Sequence, residues 1–92
     1  MADTTIRIHM RGADGKVTDA QQDYGLEDFA GHLPQIGDTI VDPGVPQGLD
    51  RRKPENRDVW KVVDRVFNPR DLQDYVALVV EERKGTEADA WL

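Results

Sequence analysis

Two blocks of strand-forming residues lie in the second half of the chain and constrain it most. "DVWKVVDRVF" (58–67) and "DYVALVVEER" (74–83) are dense in β-branched and aromatic side chains, and "NPRD" between them is turn chemistry. Together they predict an antiparallel hairpin. Strict alternation through the first block puts Val59, Lys61, Val63, Arg65 and Phe67 on one face and Trp60, Val62, Asp64 and Val66 on the other. Both faces are partly apolar, so this strand is expected to be central or strongly bent. In the second block Val76, Leu78 and Val80 share one face and Tyr75, Ala77 and Val79 the other.

The first half supplies shorter strands. "TTIRIHMR" (4–11) alternates with period two: Ile6, Ile8 and Met10 point one way, Arg7, His9 and Arg11 the other. Asp14-Gly15 is a strong turn pair, so a return strand begins near Lys16-Val17, and its polar sequence "KVTDAQQDY" suits a sheet edge. A short helix is the competing reading there, since Thr18 and Gln21 have capping-box spacing. Leu26, Phe29, Ala30 and Leu33 have helical spacing, but Gly31 and Pro34 limit them to about one helical turn. In "LPQIGDTIVDPG" (33–44), Gly37-Asp38 turns, residues 38–42 form a strand, and Asp42-Pro43-Gly44 ends it. Asp38 and Asp42 share a strand face about 13 Å apart, too far for the paired carboxylates of a glycosidase.

"VPQGLDRRKPENRD" reads as a long polar loop carrying the densest cationic cluster of the chain, and "KGTEADAWL" as a polar tail in which Trp91 and Leu92 are unusual. The expected fold is mostly β: a small five-stranded antiparallel SH3-like barrel with one short helical turn. A four-stranded curled sheet with a short helix on one face is the second reading. The barrel domain would span residues 1–85, with 86–92 a flexible C-terminal tail.

Ninety-two residues make one domain with a modest core. Without cysteine there is no disulfide, thiolate ligand or thiolate nucleophile. Serine is also missing, and the two histidines, His9 and His32, lack zinc-ligand spacing. Neither a phosphate-binding glycine loop nor a calcium-loop pattern occurs. A non-enzymatic protein with no cofactor and no metal is therefore expected. No apolar run approaches the ~20 residues of a membrane span and no leader-like start occurs, which makes the cytoplasm the expected compartment. Net charge is −6, unevenly spread. Residues 45–70 hold seven basic against four acidic side chains, whereas 14–42 hold seven acids against Lys16 alone.

The segments "LPQIGDTIV", "VWKVVDRVF" and "YVALVVEER", about half the chain, resemble small uncharacterised bacterial proteins with Leu-Pro-x-x-Gly-Asp ahead of a strand and Val-Val-Asp-Arg within a later one. More loosely, they resemble the Gly-Asp-led strands of SH3-like barrels. The resemblance implies a fold and carries no site residue.

Two functions fit. One is an interaction module that binds a protein or acidic peptide through the basic loop and the strand it feeds: Arg51, Arg52, Lys53, Arg57, Lys61 and Arg65, with Trp60 or Tyr75 as aromatic anchor. Nucleic acid is the less favoured partner, given the surrounding acids. The other is an acidic inhibitor of the anti-restriction or anti-CRISPR type, whose carboxylates mimic phosphates. Acids 14–42 gathered on one face beside Glu81 and Glu82 would favour the mimic; basic residues flanking an exposed Trp60 would favour the module.

Overall fold

A computed structural model describes residues 4–42, 48 and 52–91. Five strands, β1 (Thr5–Arg11), β2 (Val17–Tyr24), β3 (Thr39–Val41), β4 (Asp58–Asn68) and β5 (Leu72–Lys84), form one sheet in the order β2-β1-β5-β4-β3. The described residues also form three 3-10 turns, η1 (Leu26–Phe29), η2 (Pro54–Asn56) and η3 (Glu87–Asp89). No helix of the described residues is long and apolar enough to cross a membrane.

The sheet is mixed where an antiparallel one was expected, because β1 lies parallel to β5, with Ile6 beside Val76, Ile8 beside Leu78 and Met10 beside Val80. The alternation in β1 dictates the faces: its three apolar side chains all join the face that β5 presents with Val76, Leu78 and Val80. Trp60 and Val62 of β4 complete a core in which Trp60, Ile6, Ile8, Leu78, Val62 and Val80 are wholly buried. Removing a buried aromatic of this size costs about 3–5 kcal/mol, so Trp60 is a major contributor to stability.

The sheet curls over this core without closing into the expected barrel. Tyr24 at the end of β2 and Ile40 of β3, from opposite edges of the strand order, line the same cleft of about 380 Å³. Closure would require β2 to bond β3. However, β3 is three residues long, and Ala20 and Gln21 bulge out of β2, Gln21 with φ 57°. Side chains fill the gap instead. η1 lays Leu26 and Phe29 on the core, and Phe29 meets Tyr24 edge-on, ring centroids 5.5 Å apart. The Asp28 carboxylate accepts the Gly25 N–H at 2.9 Å to start η1, and Ala30 at φ 56° ends it. The turn ahead of β3 needs Gly37 at φ 97°, and Asp38 locks it by accepting the Gln35 N–H at 2.8 Å.

β4 also departs from strict alternation. Val62 opposes Val80, but Asp64 opposes Val79, so Val63 is an inserted residue. Beyond it the parity flips. Arg65 and Phe67 join the Trp60 face, opposite Leu78 and Val76, while Asp64 and Val66 join the face of Lys61. The bend expected from two partly apolar faces is this bulge.

Beyond β5 the chain makes hydrogen bonds through residue 89. Gly85 is buried and its N–H donates to the Arg57 carbonyl at 2.8 Å, which brings η2 against η3. A side chain at residue 85 would run into the Pro54 carbonyl. Gly85→Ala is therefore expected to cost about 1–3 kcal/mol, read as a drop in Tm of at least about 4 °C. An unchanged melt would mean that η2 does not press on the end of β5.

Candidate functional site

The residues proposed from sequence as one binding set are scattered over separate parts of the fold. Trp60 is fully buried, its Nε1–H donating to Glu82 Oε2 at 3.0 Å, so its ring is core and not surface. Lys61, one residue on, lies on the opposite face between Thr39 and Glu81. It joins Arg11, Glu81 and Arg83 around a shallow concavity of about 400 Å³. Arg65 is farther along β4, its guanidinium 5.7 Å from the centre of the Phe67 ring. Tyr75, the other aromatic considered, is half-buried, with its hydroxyl 3.4 Å from His9 Nε2. Arg52 and Lys53 are exposed and Arg57 is half-buried, all in the segment that carries η2. Arg51 lies outside the described residues.

η2 forms because Pro54 at its first position supplies the required φ, and the Asn56 and Arg57 N–H groups fold back onto the Lys53 and Pro54 carbonyls. It packs on η3. There, Asp89 accepts the Thr86 N–H at 2.8 Å and Thr86 Oγ1–H at 3.3 Å, a capping arrangement made by "TEAD". The same carboxylate receives both terminal nitrogens of Arg83, at 2.7 and 3.0 Å. This fork holds the Asp89 carboxyl well below the usual carboxylate range. Two residues past this anchor, Trp91 is 82% exposed. The C-terminus thus presents a large aromatic side chain next to a turn fixed against the basic segment. Trp91 was outside the predicted set. The one local signal was an aromatic in an otherwise polar tail, and its placement depends on Arg83, part of a strand read as pure framework.

Three carboxylates, Asp42, Asp58 and Glu82, converge at the end of β3 and β4 with ligand oxygens within 4.8 Å of one another. They are the one such group among the described residues with the spacing to hold a cation. Lys84 Nζ stands 2.9 Å from Asp58 Oδ1 and brings one positive charge to the group, and Glu82 accepts the Trp60 indole N–H.

Acids elsewhere are similarly engaged. Arg7 bridges two strands, with Nε and Nη2 donating to Asp19 at 2.9 and 2.8 Å and Nη1 to Asp23 at 3.0 Å. The Arg7 hydrogen bonds, helped by the Gln21 N–H, hold the Asp19 carboxyl down at about 2. Arg11 pairs with Glu81 at 3.0 Å. The acids of 14–42 are also divided in space. Asp19 and Asp23 lie on the Arg7 face of β2, whereas Asp28 and Asp38 hold loops together on the core side. Asp19 and Asp23 share their sheet face with Glu81, while Asp42 meets Glu82 at the end of β3.

No family model, curated protein or solved structure matches the chain.

Because Arg83 depresses the Asp89 pKa in the folded state, the pair stabilises the fold above the unfolded carboxyl value of about 3.9. That contribution is lost as pH falls through the lower folded value. Asp89→Asn should melt below wild type at pH 7, with the two melting curves converging in acid. A gap of constant size across that range, or none at pH 7, would show that the fork does not hold η3.

Proposed function

We propose that this protein is a non-enzymatic interaction module that binds an acidic segment of a partner protein through the surface made by residues 52–57 and the C-terminal turn, with Trp91 as the aromatic anchor. The observation that carries this reading is the packing of η2 on η3, which sets the basic segment beside an anchored turn bearing an 82% exposed tryptophan. Tryptophan and arginine dominate binding energy where they meet a partner, and an anchor already held in place loses less entropy on binding. Residues 52–57 carry Arg52, Lys53 and Arg57 against Glu55, a local +2 on a chain of net charge −6. Lys53 is exposed and makes no ion pair with a described residue.

The choice of an acidic protein segment over nucleic acid follows from the short reach of this positive patch, which is bounded by Asp58 and Glu87. The non-enzymatic reading rests on the lack of serine and cysteine, together with the engagement of His9 with Tyr75. The acid-mimic reading draws less support, because Asp19, Asp23, Asp58, Glu81 and Asp89 are paired with cations of the same chain. The proposed compartment is the cytoplasm, where a cysteine-free domain needs no oxidising environment.

Trp60 is buried and Trp91 exposed, so acrylamide quenching of tryptophan fluorescence reports on the proposed site. Titration with poly-glutamate peptide should protect Trp91 from quenching, whereas poly-lysine should not. Trp91→Ala should weaken capture of the cognate partner by about 2 kcal/mol or more, roughly thirtyfold, and Lys53→Glu should weaken it in the same direction. Capture by both variants at wild-type strength would reject the surface.

A further inference from the structure

A second surface, separate from the Trp91 site, lies on the outer edge of β4. β3 pairs with β4 only from Val59 to Lys61. Gly37 and Asp38 extend the bonding one step, with the Gly37 N–H donating to the Val62 carbonyl at 2.8 Å and the Val62 N–H to the Asp38 carbonyl at 3.0 Å. From Val63 to Asn68, no described strand pairs with that side.

The register shows what this edge offers. Val62 bonds outward, away from β5. After the bulge, Arg65 and Phe67 occupy the same side-chain face as Val62, opposite Leu78 and Val76. In a β-ladder the bonding direction alternates in step with the side chains, so the N–H and C=O groups of Arg65 and Phe67 also point outward, and those of Val66 point to β5. Asp64 Oδ1 accepts the Arg65 N–H at 2.9 Å, and no backbone bond is made to the Phe67 N–H from a neighbouring described strand. Val66 and Phe67 are 48% and 55% exposed, so the edge is apolar as well as open. The opposite edge of the sheet, β2, is blunted by its bulge and polar side chains; this edge has a bulge at Val63 and an Arg65 N–H taken by Asp64, which leaves the Phe67 N–H with no partner in a described strand.

We propose that this edge pairs antiparallel with the same edge of a second copy of the chain, centred on Val66. The segment "DRVFN" is self-complementary about that residue. Arg65 falls opposite Phe67 of the second copy, and the reverse, so that each Phe67 N–H donates to the Arg65 carbonyl of the other chain while the Arg65 N–H keeps its bond to Asp64. The arginine and aromatic ring that already stack within one chain then also meet across the strands. Asp64 falls opposite Asn68, and Val66 opposite itself. Charge favours this meeting point. Two chains of net charge −6 repel, but residues 64–71 hold Asp64 and Asp71 against Arg65 and Arg70, a local net of zero. The product is a continuous ten-stranded sheet across a two-fold axis. An edge of five residues is short, so the association is weak, micromolar or above.

Sedimentation equilibrium of the full chain between about 10 μM and about 1 mM should show dimer accumulating with concentration. The Phe67 amide should exchange more slowly at the high end. Val66→Lys sets two lysines directly opposite on the axis and should weaken self-association at least about tenfold. Because residue 66 is half exposed, the melting temperature should hold. Val66→Thr should dimerise like wild type. A monomer throughout, an unchanged dimer in Val66→Lys, or a Phe67 amide whose exchange ignores concentration would overturn the proposal. The amide measurement on the wild-type chain decides the matter even if the lysine variant does not fold.

Discussion

The parallel pairing of β1 with β5 is the contact on which the rest of the structure depends. It joins residues as far apart in sequence as Thr5 and Tyr75, and so must overcome a large loop-closure entropy. The return is apolar burial: Ile6 and Ile8 go from water to full burial against Val76, Leu78 and Val80. Among the described strands β2 attaches to β1 alone, so this central pair joins the β1–β2 half of the sheet to the half made by β5, β4 and β3. Without it the β4–β5 hairpin would present Trp60, Val62 and Leu78 to solvent.

A single inserted residue in β4 sets what the surface displays. With strict alternation, Phe67 would share a face with Lys61 and Val66 would share one with Trp60. The insertion at Val63 exchanges them. Phe67 then borders the core beside Leu26 and Leu33, and Val66 faces out with Asp64. The same insertion sends Arg65 and Phe67 outward along the open edge. A local irregularity thus fixes both the rim of the core and the pattern the edge presents to another strand.

Charge is arranged by pairing rather than by separation into fields. Arg7 binds β1 to β2 through two aspartates, Arg11 binds β1 to β5 through Glu81, and Arg83 binds β5 to the C-terminal turn through Asp89. The first two reinforce strand pairs already joined by backbone ladders, and the third ties a strand to a turn. Exposed pairs of this kind contribute little individually. The forked geometry of Arg7 and Arg83 gives them directional value, and the second fork holds the turn that precedes Trp91.

Much of the fold was legible in the sequence because its signals are local. Period-two alternation marked β1, Asp14-Gly15 marked the hairpin into β2, with Gly15 at φ 82°, and Gly37-Asp38 marked the entry to β3. Turn chemistry and strand pattern act over a few residues, and a few residues suffice to read them. The proposed surface was less legible. Trp60 sits in an apolar strand block, which favours the core, and Trp91 in a polar tail, but only tertiary contacts settle the exposure of each. That depends on β1 and β5 meeting over Trp60 and on Arg83 reaching Asp89. The amino-acid order by itself determined where strands begin and end. Tertiary structure decided the parallel pairing, the open edge and the exposed tryptophan, because each follows from contacts between segments far apart in the chain.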